Sequence, residues 1–102
     1  MSTNAVIRLE GYDFVELYKH WDGYPEATLA WLENFNERFV ANRGNDLPYK
    51  FAQLIRSSAF KAEEFDLDAS SFTGWGVDKK GSHCYDYLYI LKADGTVSVE
   101  EA

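Results

Sequence analysis

The chain has 102 residues, 46% hydrophobic and 17% aromatic, with a net charge of −7. That length fits one domain with one core, and the apolar content excludes intrinsic disorder. The acidic balance argues against direct binding to nucleic acid or an anionic membrane, and no stretch approaches the roughly 20 apolar residues that span a bilayer.

In chain order, AVIRLEG alternates. Ala5, Ile7 and Leu9 face one way and Val6 and Arg8 the other, as in a half-buried strand. Gly11 marks a turn, and DFVELYKHW alternates again. Val15, Leu17, Lys19 and Trp21 share one face, Phe14, Glu16, Tyr18 and His20 the other, so the two segments predict an antiparallel hairpin. DGYPE breaks the strand, and Pro25 suits the first turn of a helix, where its missing N–H costs nothing. Over 26–43 the period becomes helical: Leu29, Leu32, Phe35, Phe39 and Val40 form an apolar stripe, with Glu33, Glu37 and Arg38 on the solvated side and Gly44 as the stop.

Asp46 as N-cap and Pro48 in the first turn open a second helix that should run to about residue 64. Its stripe is Phe51, Leu54, Ile55, Ser58, Ala59, Ala62 and Phe65. A loop follows, with a short strand at 75–78. HCYDYLYILKADGTVSVE then reads as a hairpin turning at ADGT, with Val97 and Val99 facing inward. Its first strand carries Tyr85, Tyr87, Tyr89 and Leu91 on one face and Cys84, Asp86, Leu88 and Ile90 on the other. The order β-β-α-α-β-β predicts a single α+β domain: an antiparallel sheet of four or five strands with two helices packed on one face. Leu32, Phe35, Phe39, Leu54, Ile55 and Leu88 are its expected core.

One stretch, YKHWDGYPE, carries more chemistry than a bend requires. A turn needs Asp-Gly and Pro; it does not need aromatics on both sides. As a ligand site, Tyr18, His20, Trp21 and Tyr24 supply aromatic and imidazole walls near Asp22, Lys19 adds positive charge, and the helix after Pro25 offers free backbone N–H groups to an anion. As a purely structural element, Trp21 and Tyr24 plug the core, Asp22 shapes the turn and His20 is a surface residue. A second candidate is His83 with Tyr85, Tyr87 and Tyr89, an amphipathic surface suited to stacking. The two candidates merge if the last hairpin lies beside FVELYKH.

Catalytic and metal patterns are weak. His83 and Cys84 are neighbours on an extended segment and point apart, and Cys84 shares the face of Leu88 and Ile90 as a small hydrophobe. FTGWGVDKKG lacks the Lys-Ser/Thr of a phosphate loop, and two histidines with one cysteine give no zinc spacing, so no metal or cofactor is expected. The lone cysteine excludes an intrachain disulfide, and MSTNAVIRLE has no signal-like apolar run, which predicts a cytoplasmic setting.

The segment Tyr18, Lys19, His20, Trp21, Asp22, Gly23, Tyr24, Pro25 resembles the signature of a widespread group of small bacterial and phage proteins. These carry a strand, then Tyr-Lys/Arg-His-Trp-Asp-Gly-Tyr-Pro, then a helix. The resemblance extends to the tyrosine-rich strand near the end of the chain, and it marks a family, not a reaction. It implies an accessory phage role in the host cytoplasm. The expected function is a non-enzymatic inhibitor of bacterial immunity that sequesters a small nucleotide-like signal. An acidic inhibitor of a host defence protein, such as an anti-CRISPR or nucleic-acid mimic, is the alternative, and a small hydrolase using His20 is a third. Two sheet edges and the tyrosine surface predict a homodimer.

Overall fold

The computed structural model describes residues 3–61 and 74–102. Its elements are β1 (Ala5–Leu9), β2 (Val15–Lys19), α1 (Pro25–Arg43), α2 (Leu47–Lys61), β3 (Trp75–Lys79), β4 (Tyr87–Leu91) and β5 (Val97–Glu101). The fold is α+β, with a five-stranded sheet ordered β3-β2-β1-β4-β5. The sheet is mixed rather than purely antiparallel, because β1 and β4 pair in parallel, Ile7 opposite Tyr89. The other three pairings are antiparallel.

The cause of the parallel pair lies in where the helices return the chain. It re-enters the sheet at β3, on the far side of β2, and must then reach β4 across both β2 and β1. Since β3 and β4 run the same way, residues 80–86 cross diagonally over the face opposite the helices. The crossing is tied at both ends: the Lys80 N–H donates to the Phe14 carbonyl, and the Asp86 N–H to the Asn4 carbonyl. It explains why Val6, Glu16 and Leu88 are buried on a face with no helix.

The helix face holds the main core. Ala5, Ile7, Leu9, Leu17, Tyr89 and Leu91 meet Leu32 of α1 and Phe51 and Leu54 of α2. Burying side chains of this size contributes roughly 1.5–3 kcal/mol each. Pro25 sits in the first turn of α1, and Gly44, with φ 63°, ends it by donating its N–H to the Val40 carbonyl. The innermost line of α1 is Thr28, Leu32, Asn36 and Phe39, so two polar residues lie within the expected stripe, and Phe35 flanks it half-buried. Asn36 earns its place by donating to the carbonyls of Lys92 and Thr96, which brackets the β4–β5 turn.

Ile55 is a correction: it is 39% exposed, while Lys50 is buried. At about 100° per residue the buried arc of α2 runs from Lys50 through Leu54, Leu47 and Ser58 to Phe51, and Ile55 falls one step beyond. The helix is rolled toward α1, where the Lys50 ammonium lies 5.9 Å from the Phe39 ring centre. The expected run of α2 to Glu64, with Ala62 and Phe65 on its stripe, lies outside the described residues. Cys84 is a second correction: it is exposed, because it belongs to the crossing segment before β4 and not to the strand itself.

Candidate functional site

The structure divides YKHWDGYP into residues that fix the turn and residues that present rings. Asp22 adopts a left-handed φ of 57°, a conformation short polar side chains tolerate. Its carbonyl accepts from the Lys19 ammonium at 3.1 Å and from the Thr28 hydroxyl at 3.1 Å. Gly23 is buried: its N–H donates to the Thr3 carbonyl and its own carbonyl accepts the Tyr89 hydroxyl at 2.6 Å. A Cβ on Gly23 would lie 2.6 Å from the Ala5 Cβ and 2.8 Å from its backbone nitrogen, so only glycine allows this approach to β1. Tyr24 is the exposed N-cap residue of α1 and makes no side-chain capping bond.

Tyr18, His20 and Trp21 do something else. Tyr18 lies opposite Gly76 in the β2–β3 pairing, and its ring spreads over that glycine. The Trp21 ring lies over Gly74 in the same way. The Gly-Trp-Gly that opens β3, with Gly74 just before the strand, thus puts two glycines on the face opposite the helices as seats for two rings, while Trp75 between them packs edge-on to Trp31 at 5.2 Å. Trp21 therefore joins Tyr18 and His20 and not Lys19, a departure from simple alternation that follows from β2 ending at Lys19.

The rings form one continuous strip. His20 and Trp21 lie 6.2 Å apart at 28°, His20 meets Tyr18 edge-on at 5.0 Å, and Tyr18 stacks on His83 at 3.9 Å and 25°. His83 arrives from the crossing segment, and its Nε2 lies 3.0 Å from Asp78 Oδ2 on β3. The Lys79 backbone N–H, then His83, hold the Asp78 carboxyl below the usual carboxylate range. His20 is exposed and Trp21 is 47% exposed, so the strip faces solvent.

The remaining sequence candidates lie elsewhere. Leu88 and Tyr18 are both register partners of Val6, so they share a face, and the tyrosines of β4 project from the opposite one. Tyr89 is in the core; Tyr87 beside it is half-buried against the core, and Tyr85 is half-buried before β4 begins. Lys19 also lies on the helix side, 5.0 Å from the Trp75 ring centre. The imagined merger of the Tyr18 surface with the tyrosine ladder therefore does not occur; only His83 joins.

Sequence reading missed four contributors. Glu16, buried on the strip's face, accepts from Arg8 Nε at 3.1 Å and from the Gly81 N–H at 2.9 Å, both on Oε1, while Oε2 has no hydrogen-bond partner among the described residues. Asp78, Gly74 and Gly76 are the others. The Gly-x-Gly spacing in GWG was the available signal, since residues two apart in a strand share a face. Among the described residues no cluster of His, Cys, Asp and Glu could hold a metal ion, and no helix is long and apolar enough to cross a membrane. Comparison with known proteins finds no matching family model, curated protein or solved structure.

Proposed function

We propose that the chain is a non-enzymatic binding protein that takes a small nucleotide-like ligand, base first, on the Trp21–His20–Tyr18–His83 strip. The observation that supports this reading is the strip itself: rings in continuous contact, seated on glycines and left open to water. The turn of YKHWDGYP is accounted for by Lys19, Asp22 and Gly23, which leaves the exposed His20 and Trp21 rings to be explained by something outside the fold. Stacking of a base on an aromatic side chain is worth roughly 1–3 kcal/mol and works for any base. The −7 charge disfavours a long polyanion and leaves a compact ligand. In the phage setting that the signature implies, such a protein sequesters a nucleotide-like immune signal.

Hydrolysis fits less well. His20 contacts rings, while on this face Asp78 pairs with His83 and the buried Glu16 with Arg8 and Gly81.

Thermal-shift screening against nucleosides and nucleotides, followed by titration calorimetry, tests the proposal. One ligand class should raise the melting temperature. His20→Ala should keep stability within about 0.5 kcal/mol, as for other surface changes, while weakening that binding. If the ligand binds a His20→Ala/Trp21→Ala double variant with unchanged affinity, or no member of the library binds, the strip is not the site.

A further inference from the structure

The arginines of this chain are Arg8, Arg38, Arg43 and Arg56. The last three line one cleft between α1 and α2, on the other side of the sheet from the ring strip. In a chain of net charge −7 that concentration is unexpected, and no Asp or Glu is among the described residues lining the cleft.

Ordinary helix salt bridges do not account for Arg38 and Arg43. The residues three and four positions from Arg38 are Phe35, Ala41, Asn34 and Asn42, none of them acidic, and Asp46, three beyond Arg43, lies past the end of α1. The ion pairs among the described residues include neither arginine.

Between the guanidinium groups the cleft is aromatic. Phe39 forms the floor, stacked on Phe35 at 5.9 Å and tilted against Tyr49 at 5.6 Å. The Arg43 guanidinium lies 5.8 Å from the Tyr49 ring centre, and Trp31 adds a further wall. The cavity is about 320 Å³, the lower end of the size that holds a small organic ligand.

We propose that this cleft binds a small phosphate ester carrying an aromatic ring. Guanidinium forks match phosphate oxygens two at a time, and the rings of Tyr49 and Trp31 offer faces to the ester's own ring. The site is independent of the ring strip, with which it shares no residue.

Phenyl phosphate is the probe, with phenol and inorganic phosphate as its two halves, measured by calorimetry on the full chain. Phenyl phosphate should bind, more weakly as sodium chloride is raised, and each half alone should bind less well. An Arg38→Ala/Arg43→Ala variant should lose about tenfold or more in affinity, in line with loss of charge-assisted hydrogen bonds. Tyr18→Ala and His20→Ala should bind the probe as the parent does. Circular dichroism checks the fold of the double variant, and the exposed single change Arg38→Gln replaces it if it does not fold. Absence of binding at millimolar probe, binding unchanged in the arginine variant, or loss of binding in Tyr18→Ala would each overturn the proposal. The last of these would move phosphate-ester binding to the ring strip and leave that reading standing.

Discussion

Tyr89 shows how a residue that reads as a surface tyrosine can hold the YKHWDGYP turn in place. Its ring is buried in the core, and its hydroxyl ends on the Gly23 carbonyl, two residues beyond the Trp21 ring. Tyr89→Phe removes the donor and leaves a buried carbonyl unsatisfied, at a cost of about 1–3 kcal/mol in urea denaturation. Burial pushes the Tyr89 hydroxyl up to about 12. The neutral phenol is thus favoured in the folded state, and its contribution is fully present below the unfolded value of about 10. It declines as the pH rises from there through the folded value. Stability measured across this window should fall with pH, and Tyr89→Phe should flatten part of that slope. An equal slope in both proteins would show that the hydroxyl is not shielded as the structure has it. Tyr87, also pushed up by burial and then by Glu101 and Glu26, contributes to what remains.

At the scale of elements, β3 and α2 each do something that composition conceals. The glycines at the opening of β3 weaken it as a strand, since glycine has the largest conformational freedom to lose. They also let Tyr18 and Trp21 lie flat across the sheet edge. Gly76→Ala would push the Tyr18 ring off its seat and so away from His83. The expected result is a folded protein with weaker ligand binding at the strip and a shifted His83 ring resonance in NMR. Unchanged resonances and unchanged binding would show that the seat is dispensable. In α2, the roll toward α1 buries Lys50 and exposes Ile55. Desolvation lowers the Lys50 ammonium pKa, opposed by the charge of Glu10, and its nearest hydrogen-bond acceptor is Asn45 Oδ1 at 3.4 Å.

For the whole molecule, the crossing at residues 80–86 is the feature that gives the sheet two covered faces. It buries Val6 and Leu88 and delivers His83 to Tyr18. Among the described residues β3 and β5 are the open edges of the sheet. The case for a homodimer no longer includes a tyrosine surface, because Tyr89 is internal and Tyr87 is half-buried. The edges remain, and β5 ends in Glu100 and Glu101, charges that discourage pairing there. β3, with Val77 46% exposed, is the edge through which a dimer would form. Light scattering should then give twice the 11.7 kDa chain mass, and Val77→Lys should return the chain to a monomer. A mass of one chain at micromolar concentration removes the dimer.

Local rules were sufficient for much of this protein. Alternation set β1, β2 and β4; a 3.6-residue period bounded by Pro25 and Gly44 set α1; the Asp-Gly of ADGT set the last turn, where Gly95 has φ 94°. These depend on neighbours along the chain, so the sequence alone determined them, together with the α+β class and the placing of Tyr18 and His20 on one face. The rest depends on partners distant in sequence. Strand order decided that β1 and β4 run parallel, and through the parity of Val6 with both Tyr18 and Leu88 it put the tyrosines of β4 on the opposite face. Rotation of α2 about its axis, which periodicity leaves free by a residue or so, was fixed by packing against α1 and brought Arg56 into one cleft with Arg38 and Arg43. A strand's alternation says which residues share a face and a helix's period which share a stripe, but which face and which stripe meet is settled only when the pieces pack.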